Sequence, residues 1–264
     1  ARFAQYVADQ LLTFDVTPQR FAALQEKVLR GLRSYEQTEA YKLARNQTNA
    51  VLREFLFLPD QHLEHAPKVT WIETRDFARK YFAHGNIESV VHGHIVADEA
   101  VAAARSFAAA INAKPVVGDE LIQREHLALT PGATVVETGK IAGVNSAIWV
   151  DYLLPKETPK LRAASAVLGK FISEPFYTEM RTRQQLGYIV GSRASASLQQ
   201  HLHFFVIQSS AYGPDELRQR AETCLTTMPD QLAALSDDNF ATLISGVRSN
   251  FEEKPKGIVE KAAL

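Results

Sequence analysis

Apolar positions in the first 112 residues recur mostly at helical spacing. Thr17-Pro18 reads as a helix start, a capping hydroxyl followed by proline at the first helical position. Phe21, Leu24, Val28, Leu29 and Leu32 then form one stripe. A second helix is predicted over roughly 38–57, with Tyr41, Ala44, Val51, Leu52, Phe55 and Leu56 on its apolar face and Pro59-Asp60 as its stop. Thr74 is expected to cap a third helix, TRDFARKYFA, closed by Gly85. ESVVHGHIV, residues 88–96, has the pattern of a short strand, and Asp98 is expected to cap a fourth helix reaching about 112.

The texture changes after residue 112. NAKPVVGDELIQRE, residues 113–126, carries proline, glycine and charge without a period and reads as a linker. LALTPGATVVETG (127–139) and NSAIWVDYLL (145–154) read as strands; in the latter Ile148, Val150 and Tyr152 alternate with Trp149, Asp151 and Leu153. A helix over about 158–182 presents Leu161, Ala164, Leu168, Phe171, Ile172, Phe176 and Met180 on one face and should be kinked by Pro175. Two strands follow, LGYIVGSRA and HLHFFVIQSS. Two helices come next, one from Pro214 and one capped at Ser236. Strands and helices in runs predict an α+β fold, an antiparallel or mixed sheet backed by helices. The predicted division is a helix-rich, incomplete domain over 1–115, a linker over 116–126 and a second α+β domain over 127–264.

Composition narrows the function classes. The 264 residues are 46% hydrophobic and 22% charged, a globular balance. With 29 basic and 30 acidic residues, nothing favours nucleic acid or an anionic membrane surface as a partner. The single cysteine, Cys224, leaves no internal disulfide and sits on an apolar helix face, where a buried thiol is the expectation rather than a nucleophile. The longest apolar tract, 101–113, is broken by Arg105 and is too short to span a bilayer. A soluble protein is expected, with its compartment, periplasm or cytoplasm if bacterial, left open. The N-terminus opens in mid-pattern, which predicts a piece of a longer protein, and the last domain is expected to be truncated at its C-terminus.

The eight histidines make no convincing metal site. His62-Leu63-Glu64-His65 has the spacing H-x-E-H, not the inverted zinc motif H-x-x-E-H, and lies between Pro59 and Pro67, where a loop is expected. His92 with His94 and His201 with His203 are alternate residues on predicted strands; each pair lacks a third ligand nearby, and a half-exposed strand face accounts for them. The stretch ISEPFYTEMRTRQQLGYIVGSRA (172–194) says more. A helix ends in Arg181-Thr182-Arg183, and a short turn leads into a strand near Tyr188. That junction brings a guanidinium fork and a phenolic hydroxyl to one rim of a sheet, both suited to a carbonyl or to an oxyanion developing on it.

At this stretch the chain resembles the pitrilysin and insulin-degrading-enzyme (insulinase) family, whose last domain has a helix, R-T-x-x-Q-L-G-Y and a strand. FDVTPQRFAALQEKVLRGLRSY, AYKLARNQTNAVL and IESVVHGHIVADEAV are similar to the family's third domain, with His94 where asparagine is usual. The resemblance covers nearly the whole chain. It implies metallopeptidase-like (LuxS/MPP-type) domains, the first incomplete, and the C-terminal part of a zinc metalloendopeptidase that encloses peptides between two halves. It implies zinc in the N-terminal half of the parent and none in this segment, which is then inactive alone. By the same resemblance Arg181 and Tyr188 bind the peptide substrate and stabilise the oxyanion. The implied partners are the peptide and the N-terminal catalytic half, on the same or a separate chain; separately, the apolar stripes of the first domain's helices, with one strand to pack on, predict that the rest of a longer chain or another copy of this one covers them. The alternative is a non-catalytic structural or interaction protein of this fold.

Overall fold

The computed structural model describes residues 2–118, 121, 126–127, 129–198 and 200–262. Two compact units are present: Ala1–Leu32, His62–Gln123 and Lys254–Leu264 form the first, Arg33–Gln61 and Arg124–Glu253 the second.

The first unit is helical. It contains α1 (Arg2–Leu12) and α2 (Pro18–Arg33). The Thr17 hydroxyl accepts from the Arg20 N–H at 3.2 Å, the capping role expected of it. In the second unit α3 (Ala40–Leu52) stops at Arg53, five residues short of the predicted end. Pro59 does not simply stop a helix but opens one: α4 (Pro59–His65) has it at the first position and includes the H-x-E-H segment, which is thus helical rather than loop. α5 (Trp71–Tyr81) starts earlier than expected. Thr70, not Thr74, caps it in a reciprocal capping box with Glu73. α6 (Ala97–Ile111) starts after Val96 with no side-chain cap and ends at Asn112 in the left-handed conformation.

The expected strand 88–96 does not form, although Val90, Val91, Ile95 and Val96 give it a β-branched composition. A strand needs a partner for its main-chain groups, and among the described residues none pairs with this segment. Val90 is 87% exposed and Val96 63%. Residues 119, 120 and 122–125 of the expected linker lie outside the described residues, as does residue 128 of the expected strand 127–139; the described remainder of 127–139 is irregular.

The second unit holds an antiparallel sheet of order β1-β3-β2, from β1 (Ser146–Lys156), β2 (Ile189–Ser197) and β3 (Gln200–Ser209). On one face Ile148, Phe205 and Ile207 pack against Phe171, Ile172 and Phe176 of α7 (Pro159–Tyr177) and Leu217 and Ala221 of α8 (Pro214–Thr226). Met180 and Leu186 fill the same core and are buried to within 1%. Burying such side chains contributes about 1.5–3 kcal/mol each relative to leaving them in water. α7 begins at Thr158, whose hydroxyl accepts from the Leu161 N–H at 3.1 Å. α9 (Met228–Ala233) and α10 (Asp237–Glu252) belong to the same unit, with Ser236 capping α10 as predicted, while α11 (Ile258–Ala262) belongs to the first.

The opposite face of the sheet is covered by α3. Trp149 stacks on Phe204 with ring centroids 4.5 Å apart, and the Arg45 guanidinium lies 5.5 Å from the Trp149 ring. Gln208 ties the start of α3 down, accepting from the Tyr41 N–H at 3.0 Å and donating to Glu39 at 2.8 Å. With both faces covered, β3 is buried along most of its length, His201 and His203 included. The half-exposed face expected for that histidine pair belongs to an outer strand, and β3 is the central one.

Candidate functional site

The segment from Thr178 to Tyr188 connects α7 to β2. After Pro175 the helix widens: Thr178–Arg183 is a π-helical stretch, in which the Gln184 N–H reaches the carbonyl of Glu179 at 2.9 Å. Proline cannot donate and crowds the preceding turn, so a register change just beyond it is where the strain is relieved. Gln185 adopts φ 51°, and the Leu186 N–H returns to the Met180 carbonyl at 3.0 Å. That left-handed residue ends the helix as a C-cap does and drops Leu186 into the core. Gly187 then lies flat against Gln208 and Ser209 of β3, and Tyr188 emerges immediately before β2.

This path sets Arg181 over Tyr188. The guanidinium carbon lies 5.5 Å from the ring centroid, a cation–π distance. Tyr188 is 83% exposed, whereas Arg181 is half-buried. Arg183 pairs instead with Glu179 at 3.2 Å, and among the described residues Arg181 has no carboxylate within ion-pair distance. The structure therefore brings the two predicted site residues together, with a half-buried guanidinium over an exposed phenol at the start of β2.

A polar brace that sequence reasoning missed holds the turn. The Gln184 amide donates to Glu179 at 3.0 Å and accepts from Arg220 of α8 at 3.0 Å. Arg220 is itself fixed, bonded to Glu216 at 2.6 Å and stacked 4.5 Å from the Tyr212 ring centroid. The Glu216 hydrogen bond raises its guanidinium further above the ordinary arginine value. Gln184 and Arg220 are far apart in the chain, and no local pattern marks the pair. Gly187 carried a signal: a glycine directly before a strand indicates close backbone approach.

Cys224 is buried in α8, and loss of solvent pushes its thiol up to about 11. It is a core residue, as expected, and not a nucleophile. Burial also moves two groups on the sheet. His203, stacked on Phe205 at 4.8 Å, is lowered by desolvation. Asp151 is raised, since burial outweighs the opposing Trp149 hydrogen bond and the charges of His126 and Arg45. Among the described residues no three His, Cys, Asp or Glu side chains come together as metal ligands. His62, His65, His92 and His94 form no such group. Among the described residues no helix is long and apolar enough to cross a membrane.

The three-stranded antiparallel sheet flanked by helices is the fold seen in insulinase-type proteins of known structure. The structure superposes on pitrilysin with a TM-score of 0.80 and 21% identity, covering 99% of this chain and 28% of that one. The periplasmic protease PqqL from Escherichia coli gives 0.60 and 14% identity over 94% of this chain and 28% of that one. Residues 167–264 match the family described as PQQ synthase PqqF-like, C-terminal lobe domain 4. Mouse insulin-degrading enzyme is 23% identical over 97% of this chain and 26% of its own length. A nardilysin-like protein of Arabidopsis thaliana is 26% identical over 66% of this chain and 18% of its own length. The chain is related to the C-terminal part of pitrilysin and insulin-degrading-enzyme family metallopeptidases, and spans about a quarter of the length of these insulin-degrading relatives.

Proposed function

We propose that this chain acts as the C-terminal segment of an insulinase-type zinc metalloendopeptidase, closing over a peptide and presenting Arg181 and Tyr188 to it. The metal, which polarises a scissile carbonyl and activates water, belongs to the N-terminal half of the intact enzyme, on the same chain or a separate one. This segment then hydrolyses nothing alone. The Arg181 fork holds a substrate carbonyl through planar N–H donors. The Tyr188 hydroxyl donates to the oxygen of the scissile carbonyl as it takes on negative charge. One preorganised donor of that kind contributes ~3 kcal/mol to the transition state.

The observation that supports this reading is the placement of Arg181 over Tyr188, with the ring exposed and the guanidinium unpaired by carboxylate among the described residues. A guanidinium that no carboxylate neutralises, beside an exposed phenol, leaves donors free for a ligand. The test is Tyr188→Phe in the natural full-length protein, assayed on a fluorogenic peptide. The change removes one hydroxyl and almost no volume. Loss of ~2–4 kcal/mol of transition-state binding lowers kcat roughly 30- to 1000-fold with little change in KM. Constants within about twofold of the parent would refute the role.

A further inference from the structure

β2 is an outer strand. β3 pairs with it from Ile189 to Ser197, and among the described residues no strand pairs with its other edge. An outer strand turns half of its main-chain N–H and C=O groups away from the sheet, unpaired. Proteins usually blunt such an edge with proline, bulges or rows of charge. β2 has none of these: its register to β3 runs without a shift, it has no proline, and Arg193 is its one charged residue. Gly191, Ser192, Ala194 and Ser195 leave the edge open to close approach by another main chain.

Two further features lie along this edge. Tyr188 directly precedes it, so the edge is continuous with the Arg181–Tyr188 pair. Beside it runs an open groove of about 410 Å³, between Lys170, Ser173, Glu174 and Tyr177 of α7 and the strand residues Val190 to Ser192. The Ser192 hydroxyl is buried there without a hydrogen-bond partner. Lys170 and Glu174 offset each other in charge, so the groove favours uncharged side chains.

We propose that an extended peptide pairs with the free edge of β2 as a fourth strand, placing alternate side chains in the groove lined by Ser173, Tyr177 and Ser192. The proposal rests on the reading of Arg181 and Tyr188 as peptide-binding residues and gives the direction in which the peptide runs from them. Only another extended main chain matches a row of alternating donors and acceptors.

Residue-resolved amide exchange on the natural full-length protein tests this, with a ten-residue peptide of alternating valine and threonine in excess. Amides of residues 189–197 that point outward slow about tenfold, at every second position. The same peptide N-methylated at every residue protects none of them. Binding detected by fluorescence anisotropy without protection in 189–197 would overturn the proposal. The two readings separate cleanly. Protection in 189–197 with unchanged kcat in Tyr188→Phe sustains strand pairing and defeats the catalytic role. A fall in kcat with no protection does the reverse.

Discussion

Gly187 approaches Gln208 so closely that a Cβ added to it would stand 1.8 Å from the Gln208 carbonyl oxygen. The obstacle is backbone of the central strand, which cannot swing aside. Gly187→Ala is therefore expected to cost ~3 kcal/mol, the upper range for overpacking. At ~2–4 °C per kcal/mol the midpoint of thermal unfolding falls about 6–12 °C. Gly191→Ala is the control, because its nearest contact would be Val206 at an ordinary 3.9 Å. Equal melting of the two variants would show that the close approach is not maintained in solution.

Arg181→Ala is expected to raise KM as well as lower kcat, because a guanidinium that holds a substrate carbonyl acts in the ground state too. Arg181→Lys should restore little. A lysine keeps the charge but loses the planar fork and the stacking face that lie over Tyr188. Steady-state kinetics on one peptide distinguish the outcomes, and full recovery with lysine would reduce Arg181 to a point charge.

Asp151 offers a pH-dependent prediction. Its carboxyl is raised chiefly by burial, so the folded state favours the protonated form. Stability from that preference is complete below the unfolded carboxylate range, near 4, and is lost as pH rises through the folded value. Asp151→Asn removes the burden of a buried charge while keeping an acceptor for Trp149, bonded at 3.1 Å. The variant should melt higher than the parent at pH 7, and the advantage should vanish below about pH 4. A gain that grows on acidification would contradict the assignment.

His203 works in the opposite sense. Desolvation lowers it, so protonation is harder in the folded state and stability falls as pH drops below the unfolded histidine range near 6.5. His203→Phe keeps a flat ring against Phe205 and should flatten that acid limb in denaturant melts taken between about pH 7 and 5.

The segment 87–96 predicts a partner. Val90, Val91 and Val96 are exposed in the first unit, and their β-branched side chains suit a strand that among the described residues has nothing to pair with. This chain alone should bind a hydrophobic dye and self-associate in sedimentation. Val90→Lys with Val96→Lys should suppress both while changing stability by less than ~0.5 kcal/mol, the scale of surface substitutions. A monodisperse parent with no dye binding would remove the basis for a covering segment or second copy.

Local chemistry was readable where a few adjacent residues decide the outcome. Thr17-Pro18 and Ser236 start helices as expected, and the alternation of Ile148, Val150 and Tyr152 does mark a strand. Strand composition misled at 88–96 because it reports a preference for a pleated surface and says nothing about whether a pairing strand is at hand. His201 and His203 misled for a related reason: their spacing fixes a common face, while strand order decides whether that face is covered. Arg181 and Tyr188 were legible as a pair only through resemblance to a family. The brace from Gln184 to Arg220 joins elements 36 residues apart and left no trace in local pattern.

The wide turn at Thr178–Arg183 makes the spacing of this segment matter as much as its composition. Deleting any one residue there would let the helix close into ordinary α geometry. Everything downstream would then rotate by roughly 100° about the helix axis. Such a deletion could spare Arg181, Tyr188 and every core residue, yet leave the guanidinium and the phenol out of phase. Related chains can thus vary an exposed position such as Thr182 and remain interchangeable, whereas a change in length by a single position would make them different machines.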